Sequence, residues 1–398
     1  MDDPAAHLAP LLTPDDLLAF TASLSLPPPT QTEPLTVTAA FHRIYLLHFP
    51  PSAAADLAPA RANADGTITL VLRVSGRHLP RVKTENEVAM MRWVRENTSV
   101  PVPAVIRWDS GCANVLGCEF TLLERVPGRS ANAVIWALGE TQRKMMVGEI
   151  VRFLAELWEK SAFVWKHVGG LRVDETGEIV PGPVVDEWFW MAPDVERYWA
   201  GGEESPETLN PIGGAFSGWA EQLDKSVEKY VYAIERHPSL EWMRDLVSRL
   251  GAYRLYVREY AGELNDTRYV LAHRDLHLAN VMVDEEGAVT GLLDWEFGGV
   301  VPGPRWDPPN AFLYPWGGEG NEAKDEREQM RGWAREICQE KGIELEVVTG
   351  VPYQGIQEPA QRVVNFTRAI CEVCPKGEGE KAKAWRGSLE SELTKLGL

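Results

Sequence analysis

Cysteine is scarce in this 398-residue chain: Cys112, Cys118, Cys338, Cys371 and Cys374, an odd number at irregular spacing. That excludes a disulfide-stapled scaffold and fits a reducing compartment. Cys371 and Cys374 make one C-x-x-C with no second pair and no nearby histidine, too little for a zinc site. Basic charge is in deficit too, with 40 Lys and Arg against 58 Asp and Glu, a net charge of −18. Such a surface repels nucleic acid and anionic membrane and tolerates cations or metal-bound nucleotides, besides keeping the chain soluble. No run approaches the roughly 18 apolar residues of a membrane span. The acidic start MDDPAAHLAP lacks the basic segment of a secretory signal. The expectation is a cytoplasmic protein with neither a nucleic-acid nor a membrane partner; its oligomeric state is not legible.

What is present suits a globular protein: 44% hydrophobic and 25% charged residues, in a chain long enough for two lobes. Residues 1–34 read as a short helix and a proline-rich linker. LTVTAAFHRIYLLHF reads as two β-runs around a small-residue turn at Ala39 and Ala40, followed by a flexible insertion, PPSAAADLAPARANADGT. TITLVLRVSG is a strand, and Thr84 is placed to cap the helix ENEVAMMRWVREN. CEFTLLERVPG is a strand that breaks at Pro127 and Gly128. Beyond it, helical stripes dominate: Met146, Ile150, Leu154, Leu157 and Trp158, then Ala220, Leu223, Val227, Val231 and Ile234. The pattern predicts an α+β, bilobal chain, with a β-rich N-lobe over 35–127 and a larger helical C-lobe over 128–398. Among 15 tryptophans, Trp188, Trp190, Trp199 and Trp219 fit either core packing or an aromatic pocket attractive to a cation.

The chemistry concentrates in VLAHRDLHLANVMVDEEGAVTGLLDWEF, residues 270–297. Short apolar runs there end on polar groups, His273, Asp275, Asn280 and Asp294, and DEEG predicts a hairpin between the last two runs. A carboxylate and an amide oxygen are hard donors suited to Mg²⁺, which takes its other ligands from water and phosphate. A second carboxylate nearby can accept a proton from an attacking hydroxyl. Together these meet the needs of phosphoryl transfer, which are positioning and charge neutralisation.

H-R-D-x-x-x-x-N at His273 to Asn280, followed fourteen residues later by D-W-E at Asp294 to Glu296, resembles the core of the protein-kinase-like superfamily. PVPAVIRWD, FTLLERVPG, GLLDWEFGGVVP and RWDP resemble its aminoglycoside phosphotransferase-like family, in particular the fungal branch. The likeness runs from about residue 36 to about 313 and is weakest between 160 and 265. The resemblance implies a bilobal kinase-like fold. It places the nucleotide in the N-lobe, a catalytic loop within 265–313, and a helical substrate-side insert at 160–265. It implies that Asp275 is the base, that His273 holds its loop, and that Asn280 and Asp294 bind Mg²⁺. It implies a hinge at Glu124 to Val126 that pairs with adenine, and a phosphate-binding Arg73 partnered by Glu87. Two departures stand out. Arg73 occupies a lysine's place, and the turn VTAAFHRIY has no glycine to admit phosphate, leaving His42 or Arg43 to supply charge. From Asp294 to Trp306 the chain is too short for a protein kinase's activation segment. The implied activity is transfer of the ATP γ-phosphoryl group to a small-molecule alcohol, with an amine-bearing or aromatic acceptor fitting best. The competing expectation is a catalytically silent module that keeps the fold for another ligand.

Overall fold

The computed structural model describes residues 7–36, 41–185, 190, 192–199, 204–209, 214–308 and 321–398. Its first layer is a five-stranded antiparallel sheet in the order β1-β2-β3-β5-β4. The strands are β1 (Gln31–Pro34), β2 (His42–Phe49), β3 (Ile68–Ser75), β4 (Val105–Asp109) and β5 (Phe120–Glu124). Alternation along β3 divides its residues between two faces. Leu70, Leu72 and Val74 join Phe20, Phe49, Leu57, Phe120 and Leu122 in one apolar core. Val71 packs on the opposite side, and Arg73 reaches from there to helix α2 (Val82–Asn97).

Three expectations change here. The first strand lies inside the proline-rich linker, at Gln31–Pro34, because those residues pair with His48 to Tyr45 of β2; residues 37–40, with Ala39 and Ala40, lie outside the described residues. The insertion is anchored rather than loose, since Ala53 and Leu57 are buried in the sheet's core. Helix α2 starts two residues earlier than Thr84, after Arg81. Thr84 is buried in the first turn, its hydroxyl 3.3 Å from that of Ser75.

At the break after β5, Gly128 has φ +97°, and a Cβ there would lie 2.2 Å from the Val283 carbonyl oxygen. Only glycine lets the chain pass so close, and it brings β6 (Arg129–Ser130) into register with β10 (Val281–Val283). β10 also pairs with β11 (Val289–Leu292), the predicted hairpin closed by Asp284 and Gly287. Two further ribbons complete the sheets: β7 (Leu171–Val173) with β8 (Ile179–Pro181), and β9 (Tyr269–Ala272) with β12 (Gly299–Pro302).

The remaining chain is helical. Numbering the longer helices only, α3 (Glu140–Ser161) buries all five residues of its predicted stripe. At about 1.5–3 kcal/mol for each large side chain removed from water, such a stripe is what holds a helix in place. A second core joins α4 (Trp219–Arg236), α5 (Val247–Glu259), α7 (Gln357–Val373) and α8 (Gly379–Lys395), while α6 (Asn321–Lys341) packs on α3. Trp190, Trp199 and Trp219 belong to that second core, and the Trp219 indole donates to Gln361 Oε1 at 3.0 Å. These three are packing residues; Trp188 lies outside the described residues. Among the described residues, no helix is long and apolar enough to cross a membrane.

Candidate active site

Strand β9 delivers the chain into the loop His273–Asn280, and β11 delivers it into Asp294. The two meet through the Leu293 amide, which donates to the Asn280 carbonyl at 2.8 Å. Arg274 and Asp294 both sit at φ +67° without being glycine, a costly conformation held only where the surroundings over-determine it. His273 is part of that surrounding structure. Its Nε2–H donates to the Leu293 carbonyl at 2.8 Å, its Nδ1 accepts the Asp275 amide at 3.3 Å, and its ring lies 4.4 Å from that of Trp295. Burial pushes its pKa below the ordinary imidazole range, which outweighs the pull of Asp275. The ring is neutral, and both its nitrogens are committed to backbone.

Asp275 is half-buried. Its Oδ2 accepts Asn280 Nδ2 at 3.2 Å, and its Oδ1 lies 3.5 Å from His277 Nε2. Asn280 Nδ2 also donates to the Asp275 carbonyl at 2.9 Å, which fixes the amide and turns its oxygen away from these acceptors. His277 was not singled out from sequence, although its place two residues after Asp275 in HRDLH was the available signal.

The other half of the site is a buried charge cluster between β3, α2 and the D-W-E segment. Arg73 pairs with Glu87 through Nη1 and donates from Nη2 to Asp294 Oδ1 at 2.7 Å; Glu296 Oε2 lies 3.6 Å from the same nitrogen. Lys83, fully buried, donates to Glu296 Oε2 at 2.9 Å and lies 3.0 Å from His42 Nε2. Burial alone would lower the Arg73 pKa, but Glu87, Asp294 and Glu296 raise it. Burial lifts Glu87 and carries Glu296 to about 7 against the pull of Lys83. Asp294 is held below the usual carboxylate range because Arg73 outweighs its burial. His42, buried beside Lys83 and Arg73, is driven well below the imidazole range. It is therefore a neutral spacer and not the positive charge expected of it; Arg43 donates instead to the Ala9 carbonyl at 3.2 Å.

Lys83, Asn86 and Glu296 were not assigned from sequence. Asn86 Nδ2 donates to the carbonyls of Glu296 (3.0 Å) and Gly298 (2.9 Å), and its Oδ1 accepts the Leu171 amide at 2.7 Å. Lys83 precedes Glu87 by four residues, the spacing that puts both on one helix face. That spacing was the only signal available.

At the hinge, the Glu124 carboxylate is buried. It accepts the Arg61 amide (3.2 Å), the Arg61 side chain and the Ala104 amide (3.0 Å), tying the anchored insertion to the end of β5. Val126 is buried against Gly291, where a Cβ would lie 2.6 Å from its Cγ1. The Asp294 carboxylate and the Asn280 amide oxygen fit Mg²⁺ as a hard, two-ligand donor set that leaves positions for water and phosphate. Together these groups can neutralise a polyphosphate and accept a proton from a hydroxyl.

The model of the phosphotransferase enzyme family matches residues 59–167 and 204–304, a little over half of the chain. Over 251 residues the chain is 25% identical to clavilactone A biosynthesis cluster protein Y of Ampulloclitocybe clavipes, covering 55% of this chain and 50% of that protein. Over 119 residues it is 28% identical to a subtelomeric hrmA-associated cluster protein of Aspergillus fumigatus, covering 27% of this chain and 22% of the other. The matched part thus spans half or less of these curated relatives. A solved structure of a thermostable mutant of the aminoglycoside phosphotransferase APH(4)-Ia, in ternary complex with ADP and hygromycin B, is 13% identical, with a TM-score of 0.47 over 96% of this chain and 99% of that one. The gentamicin–APH(2")-IIa complex is also 13% identical, with a TM-score of 0.44 over 97% and 96%. The fold is α+β, an antiparallel sheet lobe joined to a helical one. With Arg73, Glu87 and the whole run from His273 to Asp294 inside the matched segments, the chain belongs to the phosphotransferase enzyme family.

Proposed function

We propose that the protein is an Mg²⁺- and ATP-dependent kinase that transfers the γ-phosphoryl group to a hydroxyl of a small molecule. The observation that carries this reading is the convergence of three polar strand ends. Asp275 is bonded to Asn280, Asn280 is joined through its carbonyl to Leu293, and Asp294 is bonded to the Arg73–Glu87 pair. Asp275, half-exposed, orients the acceptor hydroxyl and takes its proton as the oxygen attacks phosphorus. Arg73 neutralises charge on the nucleotide phosphates, and Glu87 holds its guanidinium in place. Asn280 and Asp294 would hold the metal, whose contribution is to neutralise phosphate charge. His273 keeps the loop in register and exchanges no proton. The hinge from Glu124 to Val126 takes the adenine through its backbone. The acceptor is an alcohol, for which amine-bearing and aromatic classes were the expectation from sequence.

Thermal unfolding with ATP alone, Mg²⁺ alone and both together tests the reading. A ligand at about 100 times its Kd adds about 2.7 kcal/mol of stability, a shift of several degrees. The shift should require both components; its absence at millimolar nucleotide would overturn the proposal. Asp275→Asn should keep that shift while losing roughly 10²–10⁴-fold in turnover. A silent module would have no wild-type turnover to lose.

A further inference from the structure

The loop that carries Asp275 holds a second imidazole to which the proposed reaction gives no task. His277 stands two residues beyond Asp275 on extended backbone and heads the short 3₁₀ turn Leu278–Asn280. Backbone bonds fix that turn. The His277 amide donates to the Asp275 carbonyl at 3.1 Å, and the Asn280 amide donates to the His277 carbonyl at 2.9 Å. The ring closes the turn from the side, its Nδ1 accepting the Ala279 amide at 3.2 Å. An imidazole nitrogen that accepts a bond carries no proton, so the ring proton sits on Nε2.

Nε2 lies 3.5 Å from Asp275 Oδ1 and 3.4 Å from Asn280 Nδ2. The Asn280 amide has two hydrogens, and the Asp275 carbonyl and Oδ2 take them at 2.9 and 3.2 Å. The His277 Nε2–H is therefore left to face the carboxylate. One oxygen of Asp275 meets Asn280 and the other meets His277, each partner being pinned to the loop backbone. A carboxylate approached on both oxygens by fixed donors has its plane set, with lone pairs to spare for a further donor. At 3.5 Å the His277 contact is electrostatic, longer than a full hydrogen bond. Contacts of this kind around a reacting group tighten in the complex with substrate.

We infer that His277 is a positioning residue, which orients the Asp275 carboxylate through its Nε2–H so that the base meets the acceptor hydroxyl. The inference rests on the phosphotransferase reading, in which Asp275 takes the hydroxyl proton. A residue that only capped the turn would use Nδ1 and need nothing at Nε2, so the two roles separate by atom. Asparagine at 277 puts a side-chain oxygen near the place of Nδ1, where it can cap, and leaves the place of Nε2 empty. Glutamine reaches the place of Nε2 with an N–H donor and leaves that of Nδ1 empty.

Wild type, His277→Asn, His277→Gln and Asp275→Asn are compared as full chains with Mg-ATP and water as the acceptor, which yields ADP and inorganic phosphate. His277→Asn should keep the wild-type Tm, the Mg-ATP thermal shift and the KM for ATP, while kcat falls by about tenfold. His277→Gln should lower Tm yet recover kcat several-fold over His277→Asn. Without any turnover, long-range ¹H–¹⁵N spectra should place the His277 ring proton on Nε2, and Asp275→Asn should move that nitrogen more than Nδ1. A wild-type kcat in His277→Asn, a variant pair that differs in Tm alone, or a ring proton on Nδ1 overturns the inference and leaves the phosphotransferase reading standing. If wild type releases no more ADP than Asp275→Asn, Asp275 is not acting as a base and the inference falls with it. Absence of the Mg-ATP shift in wild type would instead overturn the underlying reading.

Discussion

Arg73 makes a bridge that a lysine could not. Its fork reaches Glu87 with one nitrogen and Asp294 with the other, whereas an ammonium is a single point charge. This bond engages one oxygen of Asp294, and Glu296, 3.6 Å away, is the next carboxylate within the guanidinium's reach. Removing Arg73 leaves Glu87 buried without its counter-charge. Arg73→Met should therefore destabilise by about 3–5 kcal/mol in urea unfolding, the usual cost of breaking a buried pair from one side. Lys83 and Glu296 form a second such pair. Lys83→Met and Glu296→Gln should each be strongly destabilising, but the double variant should lose well under the sum of the two. A double-mutant cycle measures this, and strict additivity would show that the pair is not coupled. The sequence displayed Asp294 and Glu296 side by side in D-W-E, but it could not show that Lys83, 213 residues earlier, completes the cluster.

Helix α2 holds the site together at the scale of elements. One face carries Glu87 and Lys83 to the charge cluster, and Asn86 on the same helix pins the turn after D-W-E and the start of β7. Asn86→Ala would leave the Leu171 amide and the Glu296 and Gly298 carbonyls without this partner. At about 1–3 kcal/mol for each buried group left unsatisfied, it should rank among the most destabilising single changes outside the apolar cores. Differential scanning calorimetry with and without Mg-ATP checks it; a Tm within a degree of wild type would refute the staple. The periodicity of α2, α3 and α4 was legible because apolar side chains must recur every three or four residues to face a core. The anchoring of residues 50–67 was not, since Ala, Pro and Asn mark a loop equally well whether or not Leu57 finds a core and Arg61 finds Glu124.

Across the whole molecule, buried histidines link stability to pH. His42 and His273 are held below the imidazole value of 6.5 when folded, so the unfolded chain takes up protons first as pH falls through that value. Their contribution to stability is full above pH 6.5 and is lost below it. Glu87, Glu119 and Glu296 are lifted by burial and act in the opposite sense, losing stability as pH rises above the ordinary carboxylate value of 4.5, and for Glu296 the loss extends to about pH 7. The histidine effect is therefore read as a difference. The stability of wild type relative to His42→Asn should fall between pH 7.5 and pH 5, and a pH-independent difference would show that folding leaves the His42 pKa unshifted. By itself the sequence determined most of the strands and helices, the hairpin at Asp284–Gly287, and the carboxylates and amide of the run from His273 to Asp294. Each of these follows from local spacing and turn chemistry. Only the tertiary structure decided that Arg73 bonds Asp294, that burial drives His42 below the imidazole range, and that three of the tryptophans are core. Those outcomes depend on burial and on contacts between residues far apart in the chain. Desolvation and charge pairing act on the neighbours that folding brings together, whatever their distance in sequence.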